Sequence, residues 1–187
     1  MMNMKRVGFL SLGLFLAACG GSGGSLDQAG ASKAMGAAMT AAGTVQGQVM
    51  SQVMTLKSDT PSGGLVSGTQ SSFTINGTVN SPAGGSVDVK GSGSRTTNSW
   101  KWDIDFTFKG WKDQAQQITL DGTLKLSYDL ASLAPPNGTV KYVGDVSVTG
   151  AVSGTATYDL TIKYSGAGAY SMCGTVGGYS FSQGSGC

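Results

Sequence analysis

Trp100-Lys101-Trp102-Asp103-Ile104-Asp105-Phe106-Thr107-Phe108-Lys109 is the stretch that decides the fold. Its even-numbered positions are all large and apolar; its odd-numbered positions are all polar or charged. A period of two places the two sets on opposite faces of an extended chain. One face must leave water and the other must stay in it, which is the signature of a half-buried strand in an antiparallel sheet.

The same alternation recurs on both sides. Phe73, Ile75 and Val79 come before it, followed by the turn Pro82-Ala83-Gly84-Gly85 and then Val87 and Val89. After it come Ile118, Leu120, Leu124, Leu126 and Tyr128, opposed by Asp121, Lys125 and Asp129. Beyond the break at Pro135-Pro136-Asn137-Gly138 lie Val140, Tyr142, Val146 and Val148, then Tyr158, Leu160, Ile162 and Tyr164. Tyr170 and Met172 precede Gly177-Gly178, and Tyr179 and Phe181 follow. Residues 71–187 therefore read as a meander of about seven or eight antiparallel strands with short links. Asn76-Gly77-Thr78 and Asn137-Gly138-Thr139 match a glycosylation acceptor pattern but read as turn chemistry.

Charge selects a register for the two central strands. With Phe106 opposite Leu124, Lys109 meets Asp121, Asp105 meets Lys125 and Lys101 meets Asp129. With Phe106 opposite Leu120, Asp105 faces Asp121 and Lys101 faces Lys125. Opposite charges across strands gain, and like charges lose, roughly 0.2–1 kcal/mol per pair. The first register is expected.

Upstream the period changes. Met35, Ala38, Ala42, Val45, Val49, Val53 and Leu56 recur at three- and four-residue spacing, which predicts a helix over residues 26–57. Asp27 in its opening turn and Lys57 at its close complement the helix dipole. Gly30, Gly36, Gly43 and Gly47 each cost about 1 kcal/mol relative to Ala, so the helix needs a surface to pack on and a break near Gly43 is expected. A second stripe carries Met39, Met50 and Met54. Residues 58–70, rich in Ser, Thr, Pro and Gly, read as a linker. The fold class is α+β: an N-terminal amphipathic helix packed on the apolar face of the meander, with the sheet curled into a half-barrel around it.

The first residues are of another kind. Lys5 and Arg6 lead a short apolar run from Val7 to Phe15, well under the roughly 20 residues that a membrane-spanning helix needs. Leu16-Ala17-Ala18-Cys19 closes it, and Gly20-Gly21-Ser22-Gly23-Gly24 follows. This closing tetrapeptide resembles the lipobox of bacterial lipoproteins at all four positions. The resemblance implies a signal peptide over 1–18, with Leu16, Ala17 and Ala18 as the peptidase recognition residues. It also implies a diacylglyceryl thioether on Cys19, cleavage before it, and an acyl group such as palmitate on the new N-terminus. Two or more acyl chains anchor a protein stably where one does not. Gly20 rather than Asp after Cys19 points to the outer membrane, which bounds the periplasm. Residues 19–25 are then the lipidated Cys and a Gly/Ser tether.

With Lys5 and Arg6 gone, ten Lys and Arg balance ten Asp, which supports no nucleic-acid partner. The chain has no His and no Glu. It therefore lacks Ser-His-Asp and Cys-His chemistry, His-ligated zinc and the usual general bases, and reads as no enzyme and as needing no cofactor or metal. If Cys19 carries lipid, Cys173 and Cys187 remain, and in an oxidising compartment they form a disulfide closing a loop of about 15 residues, worth roughly 3 kcal/mol. Two free thiols or a metal site are the alternatives, the latter short of the four ligands of structural zinc.

Asp103 and Asp105, with Asp121 near, could hold Ca²⁺ or act as an acid/base pair, but cross-strand pairing with lysines accounts for them as well. Met39, Met50, Trp100, Trp102 and Phe106 are the candidate lining of an apolar cleft between helix and sheet. Two functions follow as expectations. One is a non-catalytic envelope lipoprotein holding an apolar ligand in that cleft. The other is a structural or protein-interaction lipoprotein with no small-molecule ligand, whose helix–sheet interior would be filled.

Overall fold

The computed structural model describes residues 26–55, 64–69, 71–133, 135–166 and 169–184. The lipobox, the tether, Leu56, Lys57 and Cys187 lie outside the described residues. The chain is α+β and mostly sheet: helix α1 (Gln28–Thr55), then β1 (Val66–Gly68), β2 (Ser72–Asn80), β3 (Ser86–Arg95), β4 (Trp100–Asp113), β5 (Ile118–Leu133), β6 (Pro136–Gly150), β7 (Gly154–Ser165), β8 (Tyr170–Val176) and β9 (Tyr179–Gln183). The strands form one antiparallel sheet in sequence order, each paired with its chain neighbours, and the sheet does not close into a barrel. Among the described residues the strands number nine rather than seven or eight, because β1 forms inside the stretch expected to be linker. Three residues suffice there because Val66, Ser67 and Gly68 pair with Ile75, Thr74 and Phe73.

Helix α1 starts at a cap. Asp27 precedes it, and its Oδ1 accepts the Gly30 N–H at 2.6 Å, satisfying a donor that the first turn leaves without a partner. Leu26, just before the cap, and Ala31 are both buried, the two positions that a hydrophobic staple joins. The helix then runs unbroken through Gly43. At 1.5 Å per residue it is about 42 Å long, and it touches both ends of the sheet, β1 and β2 on one side and β8 on the other, with β5 between. Ala38, Ala42, Val45, Val49 and Val53 are buried as the spacing predicts, and Ala31, Ala34, Ala37 and Ala41 join them. Gly43 and Gly47 face away from the sheet, and a Cβ at either would meet nothing within 4 Å.

The inner face of the sheet buries Phe73, Val89, Ile104, Leu126, Val146, Leu160 and Val176 among others, so strands β2 to β8 all contribute to one core. In β4, Trp100, Trp102, Ile104, Phe106 and Phe108 point inward and their neighbours outward. The expected register holds at three of its four points: Phe106 pairs with Leu124, Asp105 with Lys125 and Lys101 with Asp129. Lys101 and Asp129 make an ion pair at 2.9 Å. The fourth fails. A bulge between Phe108 and Trp111 shifts the pairing, so Phe108 meets Gly122 and Trp111 meets Leu120. Gly110 takes a φ of 60° at the bulge, which costs an L-residue strain but glycine little. Its N–H donates to Asp121 Oδ1 at 2.7 Å, and Lys109 pairs with Asp88 of β3 instead. The bulge also turns Trp111 into the core, where it is 1 % exposed.

The two Asn-Gly-Thr sequences are not turns. Gly77 lies within β2 opposite Val89, where a Cβ would collide with the Leu65 side chain. Gly138 lies near the start of β6 opposite Leu130, beside a second register shift. At Gly138 the Asp129 carbonyl oxygen and Leu130 Cα would meet any Cβ, so the close approach of β5 backbone, rather than a turn, calls for glycine there.

Gly43→Ala and Gly47→Ala are expected to stabilise the protein by about 0.5–1 kcal/mol each, since the helix gains propensity and nothing is displaced. Gly93→Ala should destabilise it, because the added Cβ would lie 2.8 Å from Trp102 Cβ and against the Phe73 ring. Urea midpoints for the three variants check this.

Candidate functional site

Three of the five candidate lining residues come together. Met50, Trp100 and Trp102, with Gln46, Tyr128 and Leu130, surround a void of about 10 Å³ between the C-terminal half of α1 and strands β4 and β5. That volume admits about one water molecule and no acyl chain. Phe106 lies elsewhere in the core, stacked on Phe108 with ring centroids 6.1 Å apart. Met39 is partly buried against the core and does not border the void.

The rings around the void form a dense cluster. Trp102 meets Tyr128 edge to face at 5.0 Å, Trp100 at 5.5 Å and Phe73 at 6.4 Å, arrangements that suit the ring quadrupoles. The Arg95 guanidinium lies 5.1 Å from the Trp100 ring centroid and donates to Met54 Sδ at 3.1 Å, tying the end of the helix to the β3–β4 link. Tyr128 Oη donates to Gln46 Oε1 at 2.8 Å. The indole N–H groups of Trp100, Trp102 and Trp111 and the Tyr158 hydroxyl have no partner among the described residues.

Gln46 is the residue that sequence reasoning missed. It follows Met39 by seven residues and precedes Met50 by four, which puts it on the methionine stripe. A polar residue on that stripe was the signal that a buried hydroxyl needed an acceptor.

Burial raises the pKa of the Tyr128 hydroxyl well above the phenol value, with lesser contributions from Tyr142 and Tyr164. Burial likewise raises Tyr142, Tyr158 and Tyr164. These phenols are held as neutral hydroxyls and none is tuned toward proton transfer near neutral pH.

The aspartates on the outer face of the sheet are distributed among separate partners. Asp103 Oδ1 accepts from Ser127 Oγ at 2.5 Å, Asp145 Oδ1 from Thr157 Oγ1 at 2.6 Å, and Asp121 from Gly110 as above. Asp105 sits in register between Lys90 and Lys125. Lys109 and Thr78 hold the Asp88 carboxyl below its ordinary pKa, and Asp129 raises that of Lys101. Among the described residues, no three of His, Cys, Asp or Glu converge as a metal-binding group. A wide, solvent-open depression of about 470 Å³ at the turn end is lined by Pro82, Ala83, Lys112, Asp113, Gln114, Gln117, Ile118 and Thr119. Its one carboxylate, Asp113, accepts the Gln116 N–H at 2.9 Å and closes the β4–β5 turn.

Cys173 sits on β8 opposite Thr161 and Ser182, half-buried. The proposed partner Cys187, and the lipobox residues Leu16, Ala17, Ala18 and Cys19, lie outside the described residues. Among the described residues no helix is long and apolar enough to cross a membrane. No family model, curated protein or solved structure matches the chain.

Gln46→Leu is expected to cost about 1–3 kcal/mol, because it strands the buried Tyr128 hydroxyl. Adding Tyr128→Phe should recover part of that loss, since both polar partners are then gone; a double-mutant cycle in urea measures it.

Three buried tyrosines, Tyr128, Tyr142 and Tyr158, and the partly buried Tyr164 fix the alkaline limit. Their folded pKa values lie above the unfolded value of 10.0. The folded chain therefore keeps protons that the unfolded chain would release. The stability they confer is complete below that value and is lost as the pH rises beyond it. With no His in the chain, the urea midpoint should stay nearly flat from about pH 6 to pH 9 and fall above about pH 10. Tyrosinate absorbance from Tyr128, Tyr142 and Tyr158 should appear together with unfolding.

Proposed function

We propose that the chain is a non-catalytic, lipid-anchored bacterial lipoprotein of the cell envelope, held at the outer membrane through acylated Cys19, and that it meets other protein rather than carrying a small molecule. The lipobox supports the anchor. The filled helix–sheet interior, with its void of about 10 Å³, supports the protein-facing role. The absence of His and Glu from the sequence, together with aspartates already engaged on the outer face, supports a role without catalysis. In this reading Cys173 and Cys187 form a disulfide that ties the C-terminus to β8.

The sheet is curled about the helix in this reading. β5 has 16 residues and at about 3.4 Å each runs roughly 54 Å, against a helix about 10 Å across. A flat sheet would leave the strand ends wet, yet Ile118 and Leu130, toward opposite ends of β5, are both buried.

Carriage of an apolar ligand is the second reading. It is favoured by the indole N–H groups of Trp100 and Trp102, which lack acceptors beside the void, and by the adaptable Met50 side chain. It requires the C-terminal half of α1 to lift from β4 and β5.

Two mass measurements test the pair. The N-terminal peptide of protein from its native host should carry the diacylglyceryl and acyl groups on Cys19; a free thiol there, with protein that washes from membranes without detergent, removes the anchor. Native mass spectrometry of the solubilised chain should show no bound apolar molecule; a stoichiometric adduct lost in Trp102→Ala would replace the protein-facing role with carriage.

A further inference from the structure

The two edges of the sheet are finished differently. β1 is three residues long, and its Val66 N–H donates to Gln52 Oε1 of the helix at 3.1 Å. β9, Tyr179-Ser180-Phe181-Ser182-Gln183, pairs only with β8 among the described residues. Edge strands are ordinarily guarded by a charge, a proline or a bulge, because their free N–H and C=O groups invite a further strand. β9 contains no charge and no proline and pairs without a bulge, and β8 beside it is equally free of charge.

The hairpin fixes which groups are free. Val176 pairs with Tyr179 across the two-residue turn Gly177-Gly178, both at positive φ as a type I′ turn requires. That makes Tyr179, Phe181 and Gln183 the hydrogen-bonded positions toward β8. The backbone groups of Ser180 and Ser182 therefore point outward, symmetrically about Phe181. The side chains alternate the other way: Tyr179 and Phe181 lie half-buried at the margin of the core, while Ser180 and Ser182 are exposed on the outer face.

We propose that β9 pairs antiparallel with β9 of a second copy of this chain, about a two-fold axis at Phe181. Ser180 of each copy then faces Ser182 of the other, giving four backbone hydrogen bonds. The two Phe181 side chains meet at the close, non-hydrogen-bonded position, where an apolar cross-strand pair is most favourable. A second copy fits because the edge is its own complement: it presents the same spacing of donors and acceptors in both directions and no charge to repel itself. This names the partner for the protein-facing role and rests on that reading.

Oxidative cross-linking of the full chain in membranes tests it. Phe181→Cys should give a disulfide-linked dimer on a non-reducing gel, and Thr107→Cys, exposed at the centre of the outer face, should not. Ser182→Pro removes only an outward N–H and leaves the bonds to β8 in place, so adding it to Phe181→Cys should abolish the dimer. Phe181→Lys places like charges at the axis and should sediment as a monomer in detergent where the parent chain shows dimer. No Phe181→Cys dimer, one that survives Ser182→Pro, or equal cross-linking at Thr107 would overturn the pairing. The mass of the N-terminal peptide scores the anchor separately: lipid without dimer removes the edge pairing alone, and dimer without lipid removes the anchor alone.

Discussion

Among the described residues, the structure depends on one helix covering the apolar face of a nine-stranded sheet. The helix meets that demand by being thin. Its buried stripe is Ala31, Ala34, Ala38, Ala41, Val45, Val49 and Val53, side chains that let its axis come close to the strands. Bulk is supplied from the other side, by Trp102, Phe106, Trp111, Leu126 and Tyr158. Large groups on one surface filling against small groups on the other produce close packing without strain. At roughly 25 cal/mol per Å² of apolar surface removed from water, that contact outweighs the propensity lost to the glycines.

A filled interior also allocates the rest of the chemistry. The methionines and aromatic rings that could have lined a cleft close it instead, and Gln46 supplies an acceptor for the buried Tyr128 hydroxyl. Charge is left to the outer face, where each pair is exposed; Lys101 and Asp129 are both 65 % accessible at the side chain. Such pairs contribute little to stability but favour one register over its neighbours. The inner face holds the molecule together, and the outer face keeps it in register.

Much of this was legible in the residues. The alternation in β4 fixed a half-buried strand, and the charges on its wet side picked the observed pairing at Lys101 and Asp105. The same reasoning failed at Lys109 because it assumed an unbroken ladder, and Gly110 gives no sign in sequence that it will take a positive φ and add a residue to one strand. Trp111 went unread for the same reason, since it falls on the wrong phase until the bulge turns it inward. β1 escaped because three residues in a Ser- and Gly-rich stretch carry no period. Ala34, Ala37 and Ala41 escaped because alanine is too weakly apolar to mark a face by itself. The void beside Trp100 and Trp102 was half anticipated from composition; that it would be nearly closed depends on how deeply the helix sits, which no local pattern encodes.

The connectivity carries a consequence for how the molecule comes into being. Each strand pairs with its immediate successor, so every link is a short loop and the sheet can grow by accretion, one hairpin at a time. The helix belongs to no such local step. It is synthesised before any strand, yet its surfaces of contact include β5 and β8, and an isolated helix interrupted at Gly30, Gly36, Gly43 and Gly47 has little reason to persist in water. The helix, made before every strand, is therefore the last of these elements to acquire its shape, and a chain stopped short of β8 would leave the start of its own helix without a seat.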